Sequence, residues 1–255
     1  MSRRSFVDDD RLAGVVAGDV VTLPDDVAHR FFRVLRLSDG APIELFDEAG
    51  RVVQGAVRAP DALVVTAVDV VDDVLPPLVV LQAITKTDKL ELVVQKATEL
   101  GASRVVLFQA RRSQVRLGGK GLDDDRADKK LARLERIAAD AARQCGRPRP
   151  PTLAGPLDLK AALAEARELA RGGVAVAGVV DADHTLSQHL ATEVTRLKAG
   201  GLLLVVGPEG GLDADEVQAF ADAGVVGVRW SRFVLRTETA ALSALAIAQA
   251  ALGEA

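Results

Sequence analysis

The 255-residue sequence contains one cysteine, one methionine, one tryptophan and no tyrosine, and only 3% of it is aromatic. A lone thiol, Cys145, excludes an internal disulfide framework and a multi-cysteine zinc site. No run of roughly 18 or more apolar residues occurs, which argues against a membrane-spanning helix. The opening MSRRSFVDDDRL has two arginines but no apolar stretch behind them, so it does not read as a signal peptide. The expected compartment is the reducing cytoplasm. Two familiar nucleotide signatures are also missing, G-x-G-x-x-G and G-x-x-x-x-G-K-[ST].

What remains is an ordinary globular composition, 49% hydrophobic and 27% charged, with enough apolar residues for a sizeable core. The length suits a small domain plus a larger one, and Pro76-Pro77, which forces an extended link, divides them into 1–75 and 76–255. In the first part, DVVTL (19–23), PIELF (42–46), RVVQGAVR (51–58) and ALVVTAVDVV (62–71) are short Val-rich runs punctuated by Gly, Pro and Asp. With one helix-like stretch at 25–37, they suit a small β-barrel. The second part changes grammar. LVVLQAI (78–84), RVVLF (104–108), VAVAGVV (174–180) and LLLVV (202–206) are continuous apolar runs, as expected of parallel strands covered on both faces. A helix is expected from Asp88 to Leu100, with Leu90, Val93, Val94, Ala97 and Leu100 on one face. Strands alternating with helices give an α/β domain.

Three constellations carry chemistry. Gly207-Pro208-Glu209-Gly210-Gly211 follows the LLLVV strand and precedes Asp213 and Glu216, which have capping-box spacing. A glycine-rich loop between a buried strand and a helix is where open α/β sheets bind ligands, and its backbone can meet an adenine edge or a ribose. The second is Phe233-Val234-Leu235-Arg236-Thr237-Glu238-Thr239-Ala240, read as a strand end leading into an alanine-rich helix. Arg236 and Glu238 sit at that junction, either as functional groups or as a structural salt bridge or cap. The third is a basic helix from Asp125 to Cys145. Leu131, Leu134, Ala138, Ala141 and Cys145 form its apolar seam, and Lys129, Arg133, Arg136 and Arg143 lie on another face. Between Arg104 and Arg149 there are thirteen Lys or Arg against six Asp or Glu. That local charge of +7 belongs to a chain of net charge −4, so the remainder carries −11. A basic segment on an acidic body fits a surface placed on phosphates, or a solvated helix face. Few aromatics are at hand for stacking, so shape and phosphate reading are expected. Asp181, Asp183, His184 and His189 read as a surface loop and helix cap rather than a metal cluster, and His29 as a packing or RNA-contact residue.

In order and wording, QKATELG (95–101), ARRS (110–113), DAARQCGR (140–147), VGPEGGLDADE (206–216) and VLRTETA (234–240) resemble the ribosomal RNA small subunit methyltransferase E family of the SPOUT superfamily. AHRFFRVLRLSDGAPIELFDEAG (28–50) is similar to that family's PUA-like RNA-binding domain. The resemblance implies a PUA-like β-barrel followed by an α/β SPOUT domain with a C-terminal trefoil knot, in a homodimer with its active site near the subunit interface. It implies S-adenosylmethionine as methyl donor and N3 of a uridine in 16S ribosomal RNA, free or in the 30S subunit, as acceptor. Donor contacts are then expected from Val206, Gly207, Pro208, Glu209, Gly210, Gly211, Ser231, Val234 and Leu235, and catalysis from Arg236 and Glu238. RNA contacts are expected from Arg33, Arg36, Arg111, Arg112, Lys129, Arg133, Arg136, Arg143 and Arg147. No metal and no membrane are expected. The sequence departs from the family where Trp230-Ser231-Arg232-Phe233 replaces the usual Leu-Gly-x-Arg, and Cys145, where the family commonly has a Ser, reads as a buried helix residue.

Sulfonium methyl transfer is an in-line displacement, so positioning supplies much of the rate. Uracil N3 must lose its proton at or before attack, to a carboxylate, or with its anion stabilised by a cation such as Arg236. Two rival classes stay open at this point: a nonenzymatic RNA-binding protein, for which the GPEGG loop is surplus, and a SPOUT methyltransferase acting on transfer RNA or another nucleotide.

Overall fold

The computed structural model describes residues 3–7, 10–47, 49–70, 76–115 and 124–253. Residues 71–75, which close the expected first domain, and Arg116 and Lys120 of the basic segment lie outside the described residues. The chain divides into two compact units, one of residues 1–74 with 142–149 and one of 75–141 with 150–255.

The first unit holds β1 (Arg4–Phe6), β2 (Val20–Thr22), β3 (Pro42–Phe46), β4 (Arg51–Arg58) and β5 (Ala62–Val70), in the sheet order β1-β3-β4-β5-β2. Four of the five match the Val-rich runs; β1, Arg-Ser-Phe, has no such run to mark it. β1 pairs with β3 in parallel and the other pairs are antiparallel. Gln54/Gly55 interrupts the β4–β5 register, and a Cβ at Gly55 would collide with the Val64 carbonyl. The bulge therefore needs a glycine. The helix-like stretch is shorter than its pattern: α1 covers only Asp25–Ala28, and the wider turn of a π-helix runs from His29 to Val34. Val27 and Phe31 from this stretch fill a core with Leu45, Val53 and Leu63.

The second unit is built on an all-parallel sheet of β6 (Leu78–Ala83), β7 (Arg104–Phe108), β8 (Thr152–Leu157), β9 (Val174–Gly178), β10 (Leu202–Val206) and β11 (Val226–Val228), in the order β11-β9-β10-β6-β7-β8. Every residue of β6 and β10 is buried. Leu78 and Val80 point into one core and Val79 and Leu81 into the other, which is why the runs read as continuously apolar. On the first face pack α2 (Thr87–Glu99), the middle of α3 (Asp124–Cys145), α5 (Leu186–Thr192), α6 (Val194–Gly200) and α8 (Thr237–Leu252). On the second lie α4 (Leu159–Ala170) and α7 (Ala214–Asp222). Small residues let α8 bury Ala241, Ala244 and Ala248 against its neighbours.

Phe233-Val234-Leu235 is not a strand. Residues 229–236 form an irregular loop after β11, and Phe233 and Val234 are 74% and 77% exposed. β11 is an edge strand only three residues long. An exposed run beyond it has no partner to complete a ladder, so its β-branched and aromatic composition misled. Cys145 is half-buried rather than buried, with its Sγ 3.6 Å from the Ala142 carbonyl. Among the described residues no helix is long and apolar enough to cross a membrane.

Candidate active site

Three neighbouring parallel strands, β11, β9 and β10, release their C-terminal loops on one side of the sheet. Together these loops enclose a cavity of about 490 Å³, a size that suits a nucleotide-like ligand. The loop after β9 contributes Gly178, Val179 and Val180, the loop after β10 contributes Val206 to Leu212, and the loop after β11 contributes Arg229 to Ser231 and Phe233 to Thr237. Local chemistry shapes each wall. A Cβ at Gly178 would stand 3.2 Å from the Trp230 ring, so glycine lets the indole lie on the backbone there. The indole Nε1 is buried without a hydrogen-bond partner among the described residues. Within GPEGG the Gly211 amide donates to the Pro208 carbonyl at 2.9 Å, and Gly211 takes a φ of +70° with open space around it. Thr237 Oγ1, at the first residue of α8, donates to the Gly207 carbonyl at 2.8 Å and accepts from Gln82 Nε2 at 3.0 Å. A buried polar chain thus fixes the glycine loop to β6 and α8.

Glu209, in the centre of GPEGG, turns toward β6 and α2. Its Oε1 accepts from the Thr85 hydroxyl and, at 3.0 Å, from Lys89 Nζ. Partial burial alone pushes this carboxyl up, but the bonds from Thr85, its own amide and Lys89 outweigh that and hold it below the usual range. The Lys89 ammonium is raised, first by its hydrogen bond to Glu209, against the opposing effect of burial, and further by the charges of Glu209 and Glu238. Glu238 Oε2 lies 3.6 Å from Lys89 Nζ, so the partner of Glu238 is Lys89 and not Arg236. Neither Thr85 nor Lys89 stood out in the sequence. The available signal was their place just past the LVVLQAI strand, at the sheet end where ligands collect.

The capping box is present: Asp213 Oδ1 accepts from the Glu216 amide at 2.8 Å, and Glu216 Oε2 from the Asp213 amide at 2.9 Å. Glu216 is fully buried, and its Oε1 takes the Arg111 amide at 2.8 Å.

The expected donor residues Val206 to Gly211, Ser231, Val234 and Leu235 all line the one cavity, as does Arg236. Gly178, Val179 and Leu212, which the sequence did not single out, line it too, as does Trp230 of the segment that departs from the family. Arg236 is exposed, is the N-cap residue of α8, and makes no side-chain capping bond. The expected RNA cations separate. Arg111 binds Asp213 at 3.0 Å and Asp215 at 2.7 Å. Arg112 reaches the Gly210 carbonyl at 3.2 Å. Arg133 grips both oxygens of Glu91, at 2.7 and 3.1 Å. Lys129 and Arg136 are exposed on α3. In the first unit Arg33 and Arg36 are exposed, Arg143 lies over the Phe6 ring at 5.2 Å, and Arg147 is half-buried. Among the described residues no group of His, Cys, Asp and Glu is placed to hold a metal ion.

Residues 73–249, which include the whole cavity, match a family model described as an RNA methyltransferase domain. Ribosomal RNA small subunit methyltransferase E of Mycobacterium bovis is 36% identical over 232 residues, covering 89% of this chain and 85% of its own. The chain belongs to the ribosomal RNA small subunit methyltransferase E family. The Bacillus subtilis member is 37% identical over 160 residues, 63% of this chain and 60% of its own. The methyltransferase E from Neisseria gonorrhoeae, solved bound to S-adenosyl methionine, superposes with a TM-score of 0.74 at 26% identity and covers 98% of both chains. Within the methyltransferase E family this chain thus has a glycine-loop cavity, with an exposed arginine at its rim and a lysine–carboxylate cluster beside it.

Proposed function

We propose that this chain methylates N3 of a uridine in 16S ribosomal RNA. S-adenosylmethionine is the donor and supplies an electrophilic methyl group on a sulfonium. The observation that carries the reading is the cavity formed by the loops after β9, β10 and β11, inside the residues of the RNA methyltransferase match. Its residues fit the donor. The Gly207–Gly211 backbone offers edge contacts for a purine and hydroxyls, Val179, Val234 and Leu235 offer apolar cover, and the unpartnered Trp230 Nε1 offers one more donor. When bound, the donor would supply its methyl group to N3 and leave as the neutral thioether, and the N3 proton would pass to water or a carboxylate. Arg236 supplies a fixed positive charge against the uracil anion from an exposed position on the cavity, with no side-chain capping bond to α8. Glu238 acts on this step through its neighbours, since it faces Lys89.

The finer architecture of the family belongs to the same proposal. The five-stranded unit, bounded in the expectation at residue 75, is the PUA-like RNA-binding barrel, and the loops after β10 and β11 form the trefoil knot in a cytoplasmic homodimer. On the RNA side, Lys129 and Arg136 carry the phosphate contacts of the second unit and Arg33 and Arg36 those of the first. Arg111 and Arg133, held by carboxylates, serve structure first.

The test is methylation of 30S subunits, free 16S RNA and transfer RNA with labelled donor, followed by mass-spectrometric mapping of the modified nucleotide. A single N3-methyluridine in 16S RNA is the expected result. Modification of transfer RNA alone, or at a carbon or ribose position, contradicts it.

A further inference from the structure

One cation joins three segments that follow three different strands. Lys89 stands in the first turn of α2, with Nζ 3.0 Å from Glu209 Oε1 and 3.6 Å from Glu238 Oε2. Glu209 belongs to the loop after β10 and lines the cavity. Glu238 is in the first turn of α8, two residues past Arg236. Thr85, fully buried beyond β6, donates to the same Glu209 oxygen as Lys89. Lys89 and Glu209 side chains are each 19% exposed and that of Glu238 12%, so solvent screens this cluster far less than an open surface pair.

The charges do not balance within the cluster. Two carboxylates share one ammonium, and Glu209 Oε2 and Glu238 Oε2 are buried with no hydrogen-bond partner among the described residues. Removal of Lys89 leaves two carboxylates without their shared ammonium, and among the described residues only Thr85 and the Glu209 amide still donate to Glu209. The two carboxylates would repel, and the segments free to move apart are the glycine loop and the turn that carries Arg236. A largely shielded ion pair broken from one side can cost more than the pair was worth, because the stranded charge remains.

We propose that Lys89 is a positioning residue for methyl transfer. Acting through Glu209 and Glu238, it holds the glycine loop and the Arg236 turn in the arrangement that forms the donor cavity. The inference rests on the donor-site reading above. Its scale follows from the geometry of transfer reactions, in which a displacement of about 1 Å can cost about a hundredfold in rate.

The experiment is a double-mutant cycle on the full chain, with donor affinity by calorimetry, single-turnover methylation of 30S subunits and melting temperature read for each variant. Lys89→Met is expected to weaken donor binding about tenfold and to slow turnover further, while Lys89→Arg stays within about threefold of the parent because the charge is kept. In the Glu209→Gln background, Lys89→Met should cost less than about threefold more, since Glu209 no longer strands a charge. Fully additive losses, or donor affinity and turnover unchanged in Lys89→Met, overturn the proposal. If Lys89→Met alone does not fold, the comparison of Glu209→Gln with Lys89→Met/Glu209→Gln decides by the same threefold margin, about the resolution of such cycles. A parent chain that binds no S-adenosylmethionine overturns the donor site itself. An active parent with indifferent Lys89 variants overturns only the role of Lys89.

Discussion

Arg236 and Gly210 are single residues on which the proposed chemistry turns. Arg236 lines the cavity, and its expected partner Glu238 is taken by Lys89. A charge used only when the uracil anion develops acts on the transition state more than on the ground state. Arg236→Ala should therefore lower single-turnover methylation by about a hundredfold, with donor affinity nearly unchanged. Arg236→Lys should recover little, because a planar guanidinium contact does not transfer to an ammonium. Near-normal turnover in Arg236→Ala would remove the catalytic role, and parallel losses in turnover, donor affinity and melting would leave a structural one. Gly210 lines the same cavity. A Cβ at Gly210 would meet Arg112 Cβ at 3.1 Å, so the obstacle is the Arg112 clip on the loop. Gly210→Val should displace that clip and weaken donor binding measured by calorimetry, in a chain that stays folded. Unchanged affinity would show that the loop conformation does not depend on Arg112.

Helices α3 and α7 carry the next scale. On α3 the basic stripe is only partly available, because Arg133 is bidentate on Glu91 while Lys129 and Arg136 point to solvent. Lys129→Glu with Arg136→Glu should weaken RNA binding and reduce the slope of log K against log salt by about two, one for each lost phosphate contact. An unaltered slope would make α3 a solvated face. The start of α7 depends on Asp213, whose carboxyl is held below its ordinary value of 3.8, first by the Glu216 amide, against a smaller opposing effect of burial, and also by Arg111. A depressed folded-state value means the cap contributes stability above the unfolded value and loses it as the pH falls through the folded one. Asp213→Ala should lower the melting temperature by a few degrees at neutral pH, and the gap between variant and parent should close below about pH 3.8. A gap independent of pH would show that the carboxylate charge plays no part.

For the molecule as a whole, the parallel sheet sets both stability and site. Leu204, in the central strand β10, is fully buried, and two residues beyond it in the same strand Val206 borders the cavity. Leu204→Ala should cost about 2–5 kcal/mol in denaturant unfolding. If the loss is instead below about 1 kcal/mol, the core around β10 has collapsed to fill the space.

The sequence by itself determined four of the six parallel strands, the bounds of α2 and α3 to within a residue, the cap of α7 and the glycine loop, while β8, β11 and α4 to α6 went unread. Those signals are local: continuous apolar runs, a 3.6-residue period, and the Asp213–Glu216 spacing are each read within a few residues. Tertiary structure decided the rest. Strand order placed β11 next to β9 and brought Gly178 and Trp230 together across a gap of 52 positions that no local pattern spans. The same ordering put Lys89 on Glu209 and Glu238, turned Glu238 away from Arg236, and joined Arg111 and Arg133 to carboxylates about a hundred and about forty residues away. Charge in a sequence is a count, whereas charge at a surface is what remains after folding has paired it, and only the three-dimensional arrangement sets the partners.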